Sequence, residues 1–283
     1  MSDRLRDAAL ADLAGLRTRH GTVFNPGPMT RLVTAGVIAL VLGLVVVSVV
    51  RLDVSLWRIV TGIGELGRIT AMMIPPVPAS WGQGMLYLHA LAETVAIAFL
   101  GTLAGAVFAF PIALLAARNT TINRAVQFLA RRSSDTIRGI DQLIWALAFV
   151  RAVGLGPLAG VMAIAAAEIC VLAKLFAEAI ENADRRQPEA IVAAGGSRLM
   201  AIRYGLLPQV SPVLLAQILY GLEANTRGAA ILGVVGAGGI GLQIAERIRI
   251  RLWDEVAFII LLILVTVAVI DFVSARVRRR LIG

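Results

Sequence analysis

Apolar runs long enough to cross a membrane recur along this chain, and they constrain its fold more than any other feature. A helix needs about 20 mostly apolar residues to cross the hydrocarbon core of a bilayer. The chain is 58% hydrophobic and only 16% charged, whereas soluble domains carry about 25% charged residues. We therefore predict an all-α integral membrane protein of about six transmembrane helices, near residues 32–50, 90–117, 137–153, 157–181, 209–244 and 255–275, with the fifth of these broken.

The predicted organisation has three parts. Residues 1–31 form a charged N-terminal segment on the cytoplasmic side, and the leucines within 2–19 have the spacing of a short amphipathic helix at the membrane surface. Residues 32–85 contain the first span and an outer amphipathic segment, which ends at a cluster of prolines. Residues 86–283 are predicted to form the transmembrane core, with a polar loop at 184–208.

The basic residues indicate how the spans are oriented. With both termini in the cytoplasm, 18 basic residues fall in cytoplasmic segments and seven in outer segments, which is the bias expected of membrane proteins. The net charge is +9, but the basic residues cluster beside apolar runs, where they meet anionic lipid. This placement argues against nucleic-acid binding. The first apolar run begins near Leu32 without a cleavage site, so we expect no cleaved signal peptide.

Several kinds of chemistry are excluded by the sequence. A Walker A loop needs a Gly-Lys-Ser/Thr core, but the only lysine, Lys174, lies between Ala173 and Leu175. Residues 236–241 match the glycine spacing of a dinucleotide-binding loop, but they lie in an apolar segment, where a bend or broken helix is the better interpretation. The histidines have no metal-ligand spacing, and the single Cys170 can form no internal disulfide. We therefore expect no catalytic site, metal or cofactor in this chain.

A polar, arginine-containing segment, EAIVAAGGSRLMAIRYGLLP at 189–208, lies between two apolar runs. Pro188 suits the first turn of a helix, and Glu189 suits its positive N-terminal end. The following glycine pair allows a turn, after which Ser197 can cap a second helical stretch. Such a helix–turn–helix, tied to the membrane at both ends, can transmit a rigid-body push. An ordinary solvated loop is the alternative.

This segment resembles the cytoplasmic coupling loop of bacterial ABC importer permeases, in which a short helix fits a groove on the ATPase subunit. The family pattern is Glu-Ala-Ala, three residues, Gly, nine residues and Ile-x-Leu-Pro. The sequence departs from it at Ile191, in place of the second Ala, and at Gly205, in place of the Ile. The resemblance implies that coupling to the ATPase depends on Glu189, Ala190, Gly195, Gly196, Ser197, Leu207 and Pro208.

Other segments narrow the resemblance to the phosphonate-type permeases. They are ETVAIAFLGTLAGAVFAFPIALLAARN (93–119), LIWALAFVRAVGLGPLAGV (143–161), KLFAEAIE (174–181) and NTRGAAILGVVGAGGIG (225–241). The resemblance covers roughly residues 85–275 and implies a type I ABC importer permease in the bacterial inner membrane, moving phosphonate by alternating access. It also implies the partners: a second copy of this chain, two ATPase subunits that bind ATP and Mg²⁺, and an extracytoplasmic phosphonate-binding protein.

Two polar residues in the broken fifth span are candidates for the substrate path. A charge at the position of Arg227 costs roughly 2.5–3.5 kcal/mol on insertion scales, so it should face protein or water. A guanidinium suits an oxyanion because its forked donors can engage two oxygens. Arg227, with Asn225, is therefore predicted to contact an anionic substrate or to line its path. A structural ion pair with Glu223, one helical turn away, is the alternative.

Two further groups of charges each have two interpretations. Lys174 and Glu178 lie one turn apart on the fourth span and are predicted to form an intramembrane ion pair, with a role in gating as the alternative. Arg247, Arg249 and Arg251 break the inside bias of the basic residues. They are predicted either to receive the acidic rim of a binding protein or to form a solvated loop.

Other classes of function stay open at the level of sequence. An importer of the same class could carry phosphite, phosphate or another small solute, such as an amino acid. A secondary transporter driven by an ion gradient would be expected to show internal repeats and paired intramembrane carboxylates, and we find no convincing repeat. A membrane anchor for an enzyme complex would leave the spacing within 189–208 without a reason.

Overall fold

The computed structural model describes residue 15 and residues 27–52 and 55–282, and every regular element within these ranges is helical. The chain divides after Arg68 into two compact units. The amphipathic helix predicted over 2–19 lies outside the described ranges, apart from residue 15.

The first unit contains α1 (Pro28–Arg51) and most of α2 (Leu56–Met72). The 24 residues of α1 give a length of about 36 Å, which exceeds the roughly 30 Å of the hydrocarbon core. α1 therefore confirms the predicted first span. In α2, Ile59, Ile63 and Leu66 share one side of the helix, as predicted for the amphipathic segment.

The second unit continues from residue 69 and contains the rest of the helices. Its described elements are α3 (Trp81–Ala116), α4 (Arg124–Ile137), α5 (Gln142–Val153), α6 (Pro157–Glu181), α7 (Arg186–Ala193), α8 (Arg198–Met200), a π-helical segment (Ala201–Leu206), α9 (Leu207–Val234), α10 (Ile240–Arg249) and α11 (Trp253–Ile282).

Five described helical stretches are long and apolar enough to cross a membrane: α1, α3, α6, the continuous run Arg198–Val234, and α11. The third predicted span, 137–153, is different. α5 has 12 residues, about 18 Å, which is too short to cross alone. The helix starts anew because the Asp141 carboxylate accepts a hydrogen bond from the Leu143 N–H, at 2.8 Å, after the polar turn that follows α4.

α4 and α5 together run along the length of α6. At the C-terminal end of α6, Glu181 pairs with Arg131 of α4 at 2.5 Å. In its N-terminal half, Ala163 and Ile164 pack in the same buried cluster as Ala146 of α5. Two short helices in series therefore replace the single third span.

The pairing of α3 with α6 forms the centre of the second unit, and two glycines bring these helices close together. A Cβ atom at Gly101 would lie 2.6 Å from the Cβ atom of Ile164, and one at Gly105 would lie 2.5 Å from the Cβ atom of Glu168. Neither position has room for a side chain. The two glycines, four residues apart, form the kind of close helix–helix contact that small residues allow in membranes.

Three clusters of buried apolar residues follow one another along the spans. The first contains Phe176 and Ile180 near the C-terminal end of α6, the second contains Ile164, and the third contains Tyr87 and Ile259. We call the end of the spans beside residues 184–208 the coupling end, and the other end the opposite end. The fifth predicted span is broken as expected, because α9 stops at residue 234 and α10 begins at residue 240.

Candidate coupling segment and intramembrane polar sites

Local hydrogen bonds define both ends of α7 in the predicted coupling segment. At its start the Asp184 carboxylate accepts a hydrogen bond from the Arg186 N–H at 3.0 Å. At its end Gly195 adopts a left-handed conformation, with φ of +87°, and the Gly196 N–H donates to the Ile191 carbonyl at 2.9 Å. This is the glycine-terminated helix end expected from the sequence.

The second helical stretch begins where the sequence predicted. The Ser197 hydroxyl accepts a hydrogen bond from the Met200 N–H at 3.3 Å and so caps α8. The helix then passes through the π-helical turn into α9, whose first residues are Leu207 and Pro208. The predicted helix–turn–helix is therefore present, with an irregular turn that the sequence did not indicate.

The two departures from the family pattern are matched by close contacts. A Cβ atom at Gly205 would lie 2.8 Å from the backbone N and Cα atoms of Pro188, so α7 packs directly against the π-helical turn. A Cβ atom at Gly196 would lie 2.7 Å from a methyl carbon of Ile191. Ile191 therefore fills the space that a glycine leaves, and Gly205 admits the backbone of α7.

Gln209 ties the start of α7 to α9, and sequence reasoning did not find this residue. Its side-chain amide donates to the carbonyl oxygens of Asp184, at 3.2 Å, and of Gly205, at 2.6 Å. Its side-chain oxygen accepts from the Asp184 N–H at 3.1 Å. The start of α7 is therefore held to α9 by hydrogen bonds, and α7 packs against the turn that leads into α9.

Several large apolar side chains of this segment are exposed. Leu199 is 77% exposed, Met200 52% and Tyr204 62%. Glu189 and Ala190 on α7 are exposed as well. Exposed apolar side chains in a polar loop commonly mark a surface that another protein covers.

Asn225 is the centre of a buried polar cluster that joins four helices. Its side-chain amide donates to Glu168 of α6, at 2.7 Å, and to the Thr102 hydroxyl of α3, at 3.0 Å. Its side-chain oxygen accepts from the Gln142 amide of α5 at 3.3 Å. Asn225 is only 5% exposed, so its contacts are internal to the chain.

Arg227 lies on a different face of α9 and does not share a site with Asn225. Its guanidinium is half exposed and contacts Glu223, at 3.4 Å, and Asp271 of α11, at 3.5 Å. Glu223 is shared with Arg278, at 3.2 Å. The structure thus contains the predicted alternative pair of Arg227 with Glu223. It does not support the grouping of Arg227 with Asn225, because residues two apart on a helix face different directions.

The prediction of an ion pair between Lys174 and Glu178, both of which the structure describes, is wrong. The Lys174 ammonium instead lies 3.3 Å from the carboxylate of Asp135, which belongs to α4. The prediction from sequence took into account only carboxylates on the helix that carries the lysine. Packing of α4 against α6 brings a carboxylate closer from outside that helix.

The outer arginine cluster is divided by the fold. Arg247 is largely buried, and its Nε atom donates to the Tyr87 hydroxyl, at 2.8 Å, and to Glu255, at 2.7 Å. The hydrogen bond to Tyr87 is the main cause that raises the pKa of Arg247 above its ordinary value. Arg249 and Arg251 remain exposed. Of the three arginines in this cluster, these two are therefore the ones accessible to a partner.

The glycine-rich string forms a buried loop between α9 and α10. Gly236, Gly238 and Gly239 all have positive φ, which glycine adopts without strain. Side chains of α3 accept the first N–H groups of α10: Glu93 from Gly239, at 3.1 Å, and Thr94 from Ile240, at 2.7 Å. The interpretation as a bend between helices is therefore confirmed.

The fold and the capped segment define a class: a multi-pass membrane subunit with a helix suited to docking at one end of its spans. The family model described as "Binding-protein-dependent transport system inner membrane component" matches residues 109–283. The chain therefore belongs to this family. It is a permease subunit of an ABC importer in an inner membrane rather than a catalyst, and such a permease works with an ATPase and a substrate-binding protein.

Individual relatives agree with this family. The phosphite transport system permease protein PtxC of Stutzerimonas stutzeri is 34% identical over 247 residues, which cover 86% of this chain and 88% of that protein. The phosphate-import permease protein PhnE of Mycolicibacterium smegmatis is 35% identical over 252 residues, 89% of this chain and 47% of that protein.

A solved structure shares the fold. The MetNI methionine ABC transporter, in an inward-facing conformation, contains a chain with a TM-score of 0.63 and 23% identity. The match covers 71% of this chain and 99% of that chain. The architecture of a type I ABC importer permease, predicted from the sequence, is thereby confirmed.

Proposed function

We propose that this chain is the transmembrane subunit of an ATP-driven importer that moves a phosphonate across the bacterial inner membrane by alternating access. Two copies of the chain would form the path, two ATPase subunits would bind ATP and Mg²⁺, and an extracytoplasmic binding protein would deliver the cargo. The printed functions of the relatives, phosphite transport and phosphate import, support a phosphorus oxyanion as cargo. They also make phosphite the principal alternative to phosphonate.

The observation that carries the proposal is the coupling segment. It combines a helix with capped ends, hydrogen bonds from Gln209 that tie this helix to a span, and the exposed side chains of Leu199 and Met200. A helix fixed in this way can transmit the motion of an ATPase to the spans. Glu189 at its first turn remains accessible to the partner.

Co-purification tests this coupling role. We expect Leu199→Ser/Met200→Ser to lose the ATPase subunit during purification, because the apolar contact surface is removed. The matched control is Ile250→Ser, which changes an apolar residue at the opposite end whose exposure, 58%, lies between those of Leu199 and Met200. Retention of the ATPase by the double variant would argue against this surface. A combined change of Glu189 and Gly195 is expected to have the same effect as the double variant.

Arg227 is our candidate for the substrate path. Its two ion pairs, at 3.4 and 3.5 Å, are long, and half of its side chain is exposed. The guanidinium therefore keeps donors available for an oxyanion. We expect Arg227→Gln to lower uptake at least tenfold while the ATPase still co-purifies, whereas Arg151→Gln, at another exposed arginine, should leave uptake unchanged. Unchanged dependence of uptake on substrate in the folded Arg227 variant would remove this role.

Growth on single phosphorus sources tests the cargo. A strain that lacks the gene is expected to lose growth on phosphonates and to regain it when the gene is restored. Loss of growth on phosphite or phosphate alone would keep the importer class and change its cargo. Normal growth on all these sources, with no redundant importer present, would contradict the phosphorus assignment.

A further inference from the structure

A cavity of about 560 Å³ lies at the coupling end, where three spans terminate. One wall is the loop that follows α3, at residues 118–120, and another is one side of α7. The third wall is the start of the helical run that leads into α9. None of the contacts described above for Asn225 or Arg227 uses this cavity.

The cavity has an uneven distribution of charge. Arg118, Arg185 and Arg198 line it, and all three are exposed. None of them forms an ion pair with a carboxylate in the part of the chain that the structure describes. The guanidinium of Arg198 donates to the Thr121 carbonyl at 2.8 Å, which joins α8 to the loop after α3.

The carboxylates at the same cavity do not cancel this charge. Asp184 accepts the N–H of Arg186 at the start of α7, and among the described residues Glu189 is the only other acid that lines the cavity. Three guanidiniums therefore face two carboxylates, one of which already accepts a hydrogen bond. The cavity favours an anion.

Apart from the charged residues and the polar Asn119 and Thr120, the lining is apolar. Val192, Ala201, Ile202 and Leu206 contribute to the walls. A free inorganic oxyanion would leave these walls in contact with water, whereas an anion joined to an apolar body would cover them. Because the cavity lies at the ends of the spans, we expect lipid headgroups beside it.

We propose that this cavity binds the phosphate of an anionic phospholipid. Arg118 and Arg185 hold the phosphate oxygens through charge-assisted hydrogen bonds, and the apolar walls accommodate the glycerol and the first acyl carbons. The bound lipid fills the space between the loop after α3 and α7. It leaves Leu199 and Met200 uncovered, since neither lines the cavity.

This inference uses the proposed function only in taking α7 as the coupling helix. An ATPase that docks on Leu199 and Met200 approaches a different surface, apart from Glu189, which borders the cavity, so lipid and ATPase can bind together. The lipid would then contact the side of α7 that lines the cavity. Loss of the lipid is expected to weaken coupling without removing the surface that the ATPase recognises.

Native mass spectrometry of the full-length chain in detergent tests the proposal without the ATPase. Phosphatidylglycerol is titrated against phosphatidylcholine, and bound lipid is counted for each molecule of protein. We expect tighter binding of phosphatidylglycerol. Arg118→Gln/Arg185→Gln should weaken it about thirtyfold, because each basic residue near an anionic headgroup contributes about fivefold. Arg279→Gln, at an exposed arginine of α11 outside the cavity, is the matched control and should bind like the wild type.

Several results would overturn the proposal. These are unchanged binding in the double variant, an equal loss in the Arg279 variant, or equal binding of the two lipids. Displacement of the lipid by millimolar inorganic phosphate would reassign the site to a free oxyanion. If the double variant loses the ATPase but keeps its lipid, the arginines serve the protein partner instead. Should the double variant not fold, Arg118→Gln alone is expected to show about a fivefold loss.

Discussion

Individual residues decide how closely the spans of this permease approach one another. Gly101 and Gly105 leave space for Ile164 and Glu168, and Gly221 leaves space for the carboxylate of Glu168 on its other side. Glu168 lies there in a buried polar cluster with Asn225 and Thr102. In a bilayer such groups must be satisfied inside the protein, because no water is available.

The fit at Gly105 leads to the first prediction. We expect Gly105→Ala to lower the thermal unfolding temperature in detergent, with a cost of about 1–3 kcal/mol from overpacking against Glu168. Gly43→Ala is the control, because nothing lies within 4 Å of a Cβ atom at that position. Equal unfolding temperatures for the two variants would contradict the close contact.

Arg247 gives the second prediction. Its partner Glu255 is only 2% exposed, so Arg247→Gln leaves a buried carboxylate without its cation. We expect a loss of about 3–5 kcal/mol in stability, which is typical when one member of a buried pair is removed. The neighbouring Arg249→Gln changes an exposed side chain and should cost less than about 0.5 kcal/mol. Thermal unfolding of the two variants measures their losses of stability, and equal losses would contradict the prediction.

At the scale of elements, α7 is attached to the start of α9 by packing and hydrogen bonds. Gly205 allows its backbone to touch the π-helical turn, and Gln209 ties its first residues to the span. Ile191 and Gly205, the two departures from the family pattern, therefore change the contacts of α7 without removing the helix. π-helical turns within longer helices are often found at functional sites.

The contact at Gly205 gives the third prediction. In Gly205→Ala the new methyl group meets backbone atoms of Pro188, which cannot move aside as a side chain can. We expect α7 to shift and transport to fall severalfold, while the chain still inserts in the membrane. Uptake per ATP hydrolysed in reconstituted vesicles measures this coupling. Ala194→Ser, at an exposed position at the end of α7, is the control, and a matching decrease there would refute the explanation.

At the scale of the whole molecule, successive spans must cross the bilayer in opposite directions. α4 and α5 lie in series along α6, and we expect them to act as one crossing. We propose that both termini lie in the cytoplasm, so that the loop after α3 and the coupling segment would lie inside. The turn at 154–156 and the residues between α10 and α11 would then lie outside, in agreement with the bias of the basic residues.

Reporter fusions provide the fourth prediction, which concerns this topology. Alkaline phosphatase, active only outside the cytoplasm, should be active when fused after residue 154 or 251 and inactive after residue 121 or 195. Activity at 121 together with inactivity at 154 would reverse the orientation. Equal activity at 121 and 154 would show that α4 and α5 do not cross together.

The class of protein could be predicted from sequence because its signals are local. Apolar length predicts spans, and the spacing of Glu189, Gly195 and Pro208 predicts a capped helix between two of them. The elements that sequence reasoning placed wrongly or missed involve contacts between distant segments. Lys174 pairs with Asp135 rather than with Glu178, and Gln209 reaches back to Asp184.

The sequence by itself determined an all-helical membrane subunit, its coupling segment and the break between α9 and α10, because hydrophobic length and helix ends depend on neighbouring residues. Only the tertiary structure decided which side chains of different helices contact one another. It buried Asn225 among four helices, left Arg227 half exposed, and buried Arg247 against Glu255. The direction in which a helical side chain points follows from its position, but its partner follows from how the helices pack.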